Sequence, residues 1–150
     1  MDILLVCTGN TCRSSMAEGI FKQILKDNDD DDVHVTSAGI SVYVSTSASD
    51  EALCVMDEMG IDISDHKSTQ ITEESVSQAD LVLVMTTGHK NILIDLFPEY
   101  IDRIHTLHEY AYGAEDDIAD PFGMDHDAYR RCALEIKGAV EAVYDRIKKR

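Results

Sequence analysis

Residues 3–18 read ILLVCTGNTCRSSMAE, and this stretch decides the fold. The unbroken apolar run at 3–6 is typical of a strand buried on both faces of a sheet. After the polar turn, apolar residues recur with the 3.6-residue period of an amphipathic helix, and Ser14 or Ser15 is available to cap its start. The periodic residues are Met16, Ala17, Ile20, Phe21, Ile24 and Leu25. The stretch therefore predicts a strand–turn–helix unit.

The rest of the chain continues this alternation. Further strands are predicted at 33–38, 81–85 and 104–107, and helices at 49–59, 89–96 and 129–147. Alternating strands and helices predict an α/β fold, a three-layer α/β/α sandwich whose parallel sheet carries helices on both faces. With 150 residues and neither repeats nor linker-like segments, residues 1–150 are expected to form a single domain.

Composition excludes several classes of partner. The net charge is -16, from 29 acidic and 13 basic residues, and such a surface repels nucleic acid and anionic membranes. No apolar run reaches the roughly 18 residues of a membrane span, and the N-terminus lacks the basic segment of a signal peptide. We therefore expect a cytoplasmic protein, without nucleic-acid or membrane partners. The acidic run at 27–32 lacks the spacing of a calcium loop and is interpreted as a solvated turn.

The four cysteines lie at 7, 12, 54 and 132, without the spacing of a disulfide framework. In a cytoplasmic protein they are reduced thiols by default. Cys54 and Cys132 fall on helical faces and are predicted to be core residues.

The turn at 7–14, which we call the phosphate loop, is placed to bind an anion. It follows a parallel strand and precedes a helix, where backbone N–H groups and the helix dipole together favour negative charge. Cys7 and Arg13 have the spacing C-x5-R, which brings sulfur and guanidinium to opposite sides of one phosphate. The cradle and Arg13 stabilise a thiolate that is positioned for in-line attack on phosphorus.

Other residues of the phosphate loop suit this chemistry. Gly9 allows close backbone approach, Asn10 tolerates the left-handed conformation of a tight loop, and Ser14 could donate a hydrogen bond to the sulfur. A leaving group needs an acid, and the attacking water later needs a base. Asp120, in the loop Asp120–Gly123 that reads DPFG, is the best candidate for both roles.

With these features, the chain resembles the low-molecular-weight protein tyrosine phosphatase family over essentially its full length. The matching motifs are V-C-T-G-N-T-C-R-S at 6–14, M-A-E at 16–18, S-A-G at 37–39, M-T-x-x-H-K at 85–90 and D-P at 120–121. Ser15 is a departure, because family members usually carry proline there.

The resemblance implies a phosphotyrosine phosphatase I-like fold with a four-stranded parallel sheet, and no metal or organic cofactor. It implies a phosphocysteine intermediate on Cys7, phosphate binding by Arg13 and general acid catalysis by Asp120. Further substrate- or phosphate-binding residues would be Thr8, Gly9, Asn10, Thr11, Cys12 and Ser14. Phosphorylated proteins would be the substrates of an enzyme expected to be monomeric.

Thr11 suggests the branch within the family. Tyrosine-specific members tend to carry a bulky aliphatic residue at this position, whereas the protein-arginine phosphatases carry threonine, and DPFG differs from the DPY common in the former. A threonine hydroxyl could orient water or contact the guanidinium of a phosphoarginine. We therefore favour a phosphoarginine phosphatase, with phosphotyrosine hydrolysis as the alternative. Tyr43 and Phe122 are possible walls of the substrate pocket.

Several other interpretations stay open. A thiol-dependent arsenate reductase shares this fold, but its further cysteines are expected near the third strand, and 81–90 has none. Cys12 is either a filler of the loop or a redox partner that traps oxidised Cys7 as a reversible disulfide. A non-catalytic phosphate-binding module would have lost its nucleophile or its acid, and Cys7 and Asp120 are both present. No second ligand pair follows Cys7 and Cys12, which argues against zinc. The histidines at 34, 66, 89, 105, 108 and 126 are taken as structural or exposed.

Overall fold

The sheet of the computed structural model, which describes residues 1–149, has four parallel strands in the order β2-β1-β3-β4. The strands are β1 (Asp2–Cys7), β2 (His34–Gly39), β3 (Leu81–Val84) and β4 (Ile104–Thr106). All four lie where the apolar runs predict them. The predicted α/β architecture with a four-stranded parallel sheet is confirmed.

Helices connect the strands and follow the last of them. They are α1 (Arg13–Asp27), α2 (Asp50–Glu58), α3 (Glu73–Gln78), α4 (Thr87–Leu96), α5 (Leu107–Tyr112) and α6 (His126–Lys148), with a 3₁₀ helix at Pro98–Arg103 between α4 and β4. The sequence pattern did not predict α3, α5 or the 3₁₀ helix. Each has six residues, two helical turns at most, so none shows enough periodicity to be recognised.

Two hydrophobic cores form because successive side chains of a strand point to opposite faces of the sheet. Ile3 and Leu5 of β1 pack on one face with residues of α1, α2 and α6. Leu4 and Val6 pack on the other face with α3, α4 and Ile104. This is why the apolar runs are unbroken rather than alternating. No helix within residues 1–149 is long and apolar enough to cross a membrane.

The predicted cap of α1 is wrong. The helix begins at Arg13, with Cys12 as its cap residue and no side-chain cap hydrogen bond. Ser14 and Ser15 lie inside the first turn, so neither can occupy the cap position. Ser15 Oγ donates instead to the carbonyl of Cys12 at 2.8 Å, and Ser14 Oγ contacts the sulfur of Cys7.

The prediction for Cys54 is also wrong, since this side chain is exposed, whereas Cys132 is buried as predicted. Helix α2 buries Ala52, Val55 and Met56, which share one face at helical spacing. Cys54 lies between them in sequence and therefore on the outer face.

The acidic turn is not solvated throughout. The Asp30 side chain is 4 % exposed and pairs with Lys148 Nζ at 2.9 Å. Asp30 also accepts a hydrogen bond from the Tyr144 hydroxyl at 2.9 Å. The hydrogen bond from Lys148 is the largest of the effects that lower the pKa of Asp30 to about 2. This carboxylate thus joins the turn to the end of α6.

Candidate functional site

A cavity of about 210 Å³ opens where β1 ends, and it brings the predicted nucleophile and acid together. Larger cavities of about 420 to 500 Å³ lie elsewhere, along α1 or near the starts of the strands, and their lining includes neither Cys7 nor Asp120. The smaller cavity is therefore the candidate active site. Its lining residues are Cys7, Thr8, Gly9, Thr11, Cys12, Arg13, Asp120 and Phe122.

Cys7, the last residue of β1, lies at the base of this cavity and is 3 % exposed. Its sulfur accepts a hydrogen bond from the Asn10 backbone N–H at 3.3 Å and lies 2.9 Å from Ser14 Oγ. Asn10 Nδ2 donates to that same Ser14 oxygen at 2.8 Å, which leaves the Ser14 hydroxyl proton for the sulfur. Both donors stabilise negative charge on Cys7.

Asn10 holds the phosphate loop in shape. Its φ of 59° is the left-handed conformation that the sequence predicts, and the residue is fully buried. Its Nδ2 donates to Ser37 Oγ at 2.9 Å, and Ser37 in turn donates to Glu18. Its Oδ1 accepts from the Thr69 N–H at 2.9 Å, and its carbonyl accepts from His66 Nε2 at 2.6 Å. The loop is thus tied to three other segments of the chain.

Gly39, at the end of β2, lets the phosphate loop pack against this strand. A Cβ at this position would lie 2.6 Å from the Thr8 carbonyl oxygen and 3.0 Å from the Asn10 nitrogen. Only glycine fits such a close approach of two backbones. A Cβ at Gly9 would meet only Thr11 Oγ1, at an ordinary 3.7 Å. The space beside Gly9 belongs to the cavity.

Arg13 connects the two walls of the cavity, which are the phosphate loop and the segment 115–125. Its NH1 group donates to the Ile118 carbonyl at 2.8 Å, and its NH2 group lies 3.6 Å from Asp120 Oδ2. The Ile118 N–H donates to the carbonyl of Met85, just after β3. The guanidinium is therefore oriented by a backbone segment that is itself fixed to the sheet.

Asp120 lies in the segment 115–125, which we call the acid loop, and its side chain is 51 % exposed. Asp120 Oδ1 accepts a hydrogen bond from the Phe122 N–H at 3.1 Å. Asp117 accepts from the Thr87 N–H at the start of α4, and Asp125 caps α6. Fixed ends thus hold an exposed carboxylate beside Arg13.

Thr11 and Cys12 are anchored to the helices behind the loop. The Thr11 carbonyl accepts a hydrogen bond from the Ser49 N–H at 3.0 Å. Cys12 Sγ donates to Ser49 Oγ and lies 3.4 Å from the Tyr129 hydroxyl. Burial, with the Cys12 contact second, raises the pKa of Tyr129. Cys12 lines the cavity, and its shorter polar contacts are with the cap residue of α2 and with α6.

Two histidines taken as structural or exposed from the sequence belong to the site. His66 contacts the carbonyl of Asn10, as described above, and His89 Nε2 lies 2.8 Å from Thr8 Oγ1. Sequence reasoning missed both, because a single histidine carries no information on its distant contacts. The M-T-x-x-H-K motif at 85–90 was the one signal for His89.

Of the two possible aromatic walls, the structure brings only Phe122 to the cavity. The prediction for Tyr43 is wrong, because this side chain is 93 % exposed and does not line the cavity. The preceding Val42 N–H is held by Gln70 Oε1 at 2.7 Å, and Tyr43 extends into solvent from there. Within residues 1–149, no group of three or more His, Cys, Asp or Glu could hold a metal ion.

Comparison with known proteins gives matches over almost the whole chain. A family model described as low molecular weight phosphotyrosine protein phosphatase matches residues 2–150. The chain is 40 % identical to the protein-arginine-phosphatase of Bacillus subtilis (strain 168), covering 99 % of this chain and 98 % of that protein. It is 37 % identical to a probable low molecular weight protein-tyrosine-phosphatase, EpsP, of Ralstonia nicotianae, covering 97 % and 95 %.

A solved structure shares the fold closely. It is a mutant of the YwlE arginine phosphatase with a phosphorylated active-site serine, with a TM-score of 0.95 and 39 % identity. The match covers 99 % of this chain and 97 % of that one.

Proposed function

This chain belongs to the low molecular weight phosphotyrosine protein phosphatase family, and we propose that it hydrolyses phosphoarginine residues in proteins through a phosphocysteine intermediate. The observation that carries the proposal is the single cavity lined by Cys7, Arg13 and Asp120. These residues are the nucleophile, phosphate ligand and general acid of the mechanism, and residues 1–150 act as one phosphatase domain.

Substrate binding begins with the phosphoryl group in the phosphate loop. Arg13 NH1 is already bonded to the Ile118 carbonyl, which leaves other N–H groups of the planar fork for the phosphoryl oxygens. The Arg13–Asp120 separation of 3.6 Å is longer than a direct hydrogen bond, so this contact costs little to rearrange. The bonds of Asn10 to Ser37 and Thr69 hold the loop in a fixed shape.

In the first chemical step, the Cys7 thiolate attacks phosphorus and the P–N bond to the guanidine breaks. Asp120, in its carboxylic acid form, donates its proton to the departing nitrogen. The Asp120 side chain is half exposed and therefore lies open to the departing group. The products of this step are a free arginine side chain and a phosphocysteine.

In the second step, water attacks the phosphocysteine. The Asp120 carboxylate removes a proton from the water, the S–P bond breaks, and inorganic phosphate leaves. The Ser14 hydroxyl and the Asn10 N–H stabilise the returning negative charge on Cys7. The related YwlE mutant with a phosphorylated active-site serine supports a covalent phosphoenzyme.

The arginine preference rests on Thr11 and Asp120. Thr11 lines the cavity, and the polar contact of its Oγ1 within residues 1–149 is a long one, 3.8 Å to Cys12 Sγ, so it can accept a hydrogen bond from a guanidinium. The acceptor oxygen of the Asp120 carboxylic acid can accept from the same group. A phenol ring can use neither interaction in this way. The protein-arginine-phosphatase relative at 40 % identity supports the same choice.

Phosphotyrosine is the second candidate substrate. Phe122 is 73 % exposed at the edge of the cavity, where an aromatic ring could stack on it. The relative named as a probable protein-tyrosine-phosphatase is 37 % identical.

Matched phosphoarginine and phosphotyrosine peptides of one sequence separate the two substrates. The parent should hydrolyse the phosphoarginine peptide faster, and Thr11→Ile should shift the ratio of kcat/KM values toward phosphotyrosine by about tenfold. Cys7→Ser should abolish turnover of both, whereas Cys54→Ser, at an exposed site outside the cavity, should match the parent. A parent that prefers phosphotyrosine, with a preference that Thr11→Ile leaves unchanged, would contradict the arginine assignment.

A thiol-dependent arsenate reductase is the weaker alternative, and it needs a second reactive thiol near Cys7. Burial raises the pKa of Cys132 to about 12, so this residue stays a thiol and a poor nucleophile. Cys12 is the other candidate, and we retain it as a possible redox partner of Cys7. Arsenate reduction coupled to thiol oxidation would show the alternative directly.

A further inference from the structure

The partly buried contact between His89 and Thr8 lies outside the mechanism above. His89 is 7 % exposed in the first turn of α4, and its Nε2 lies 2.8 Å from Thr8 Oγ1. The Thr8 carbonyl is held separately, by the Ser41 N–H at 2.9 Å. Thr8 follows the nucleophile directly and lines the cavity. Its side chain and its backbone are thus each fixed from outside the phosphate loop.

The protonation of His89 decides what the Thr8 hydroxyl can do. Burial, followed by the charge of Arg13, lowers the pKa of His89 to about 4, so the ring is neutral at pH 7 and carries one N–H. Its Nδ1 is buried and has no hydrogen-bond partner among residues 1–149. A buried N–H without a partner is rare and unfavourable. The ring proton therefore belongs on Nε2, the nitrogen that faces Thr8.

A donor at Nε2 fixes the direction of the whole contact. His89 Nε2–H donates to Thr8 Oγ1, so the Thr8 hydroxyl does not donate its own proton to the imidazole. That proton is free for the cavity that Thr8 lines. In the other tautomer the hydroxyl would donate to His89 and offer the cavity only an acceptor, which suits an anion poorly.

We propose that His89 is a positioning residue that holds Thr8 so that its hydroxyl donates to an oxygen of the bound phosphoryl group. The inference rests on the proposed function and adds a side-chain donor to the backbone cradle and Arg13. A hydroxyl bonded to a charged phosphate oxygen is a strong type of hydrogen bond.

Nitrogen NMR of the imidazole tests the tautomer without any substrate. In protein with ¹⁵N-labelled histidine, long-range ¹H–¹⁵N spectra at pH 7 should show His89 protonated at Nε2 and unprotonated at Nδ1. Comparison with His89→Gln assigns the signals. Protonation at Nδ1 would overturn the proposal, whether or not the protein is a phosphatase.

Affinity for inorganic phosphate, measured by calorimetry, tests the consequence. Thr8→Val and His89→Leu should each weaken binding by roughly tenfold, the loss of about one such hydrogen bond. The double variant should be no weaker than either single variant, because both remove the same interaction. His89→Gln, whose amide NH₂ can replace the Nε2 donor, and Thr8→Ser should recover most of the affinity.

The matched control is His34→Leu, an exposed histidine at the far end of β2, which should bind phosphate as the parent does. Losses that multiply in the double variant, or normal binding by His89→Leu, would overturn the proposal. If only the proposed phosphatase activity is wrong, the result differs. The parent and the variants would show the expected phosphate affinities, but the parent would hydrolyse neither phosphopeptide. Thermal unfolding of each variant identifies a loss of affinity that is only a loss of fold.

Discussion

The two walls of the cavity differ in how deeply the protein buries them. In the phosphate loop, Cys7, Asn10 and Arg13 are at most 4 % exposed. In the acid loop, the Asp120 side chain is 51 % exposed and Phe122 is 73 % exposed. The first wall keeps the Cys7 and Arg13 side chains in the core, whereas the second stands in solvent between two anchored ends.

This difference matches the two parts of a phosphorylated side chain. Every substrate of such an enzyme carries the same phosphoryl group, so a rigid, preorganised wall serves all of them and loses no energy to rearrangement. The leaving group varies, and an exposed wall can accept different chains around it. If so, changes in the phosphate loop should affect every substrate, and changes in the acid loop should depend on the leaving group.

Asp120→Asn should have the largest effect in this comparison. Loss of the proton donor should lower kcat by about 10² to 10⁴-fold for the phosphopeptide. The loss should be smaller for an aryl phosphate with an acidic leaving group, which needs less protonation. Steady-state kinetics on both substrates measure this.

Asp116→Asn is the matched control, since it removes an exposed carboxylate from the same loop without touching the cavity. An equal loss of kcat on both substrates would argue that Asp120 orders the loop rather than donates a proton.

Asn10→Ala should have the next largest effect. It should destabilise the phosphate loop and thereby lower activity on every substrate. The change removes buried hydrogen bonds to Ser14, Ser37 and Thr69 and puts alanine into a left-handed conformation. We expect the free energy of unfolding to fall by about 3 kcal/mol. Chemical denaturation measures it, with Asn28→Ala at the exposed end of α1 as the control. A stability equal to that of the parent would mean that these Asn10 hydrogen bonds do not hold the loop.

His89→Leu should remove a pH dependence of stability. The pKa of His89 is about 4 in the folded protein, against 6.5 for a histidine side chain in the unfolded chain. The unfolded chain therefore takes up this proton first as the pH falls, so stability is present above pH 6.5 and is lost as the pH falls toward 4. The parent should lose about 2 kcal/mol from this group between pH 7 and pH 5.

Denaturation curves of parent and His89→Leu at pH 7 and pH 5 give the difference, which cancels the carboxylates that titrate in both proteins. The same drop in both proteins would mean that His89 is not buried in its neutral form.

Phe122→Ala should have the smallest effect. An aromatic ring this exposed contributes about 1 kcal/mol or less to a stacking contact, so KM should rise by no more than about fivefold. The rise should be larger for phosphotyrosine peptides than for phosphoarginine peptides, and affinity for inorganic phosphate should not change. Met124→Ala, also exposed in the acid loop, is the control. A change in phosphate affinity would show that the two walls are not independent.

The phosphate loop was predictable because its parts are close in sequence. Cys7 and Arg13 are six residues apart, so a strand, a tight turn and a helix suffice to place them around one anion. The left-handed conformation of Asn10 is likewise a local property, and it is confirmed. Asp120 is distant, yet the DPFG loop marked it, and the structure brings it to Arg13.

The contacts that the sequence did not reveal, and the two predictions that failed, concern packing that crosses the fold. His66 and His89 contact the phosphate loop from 56 and 81 residues away, and nothing in the spacing of six histidines separates these two from the others. Tyr43 was assigned to the cavity by residue type, and its loop carries it into solvent. Cys54 was assigned to the core by residue type, and the face of α2 on which it lies decides otherwise.

The sequence by itself determined the parallel sheet and the turn that carries Cys7 and Arg13, because each depends on patterns within a few residues. Only the tertiary structure decided which side chains support that turn and how exposed its two walls are. Burial depends on the packing of α2, α4 and α6 against segments far away in the chain. A local pattern contains no measure of such distances.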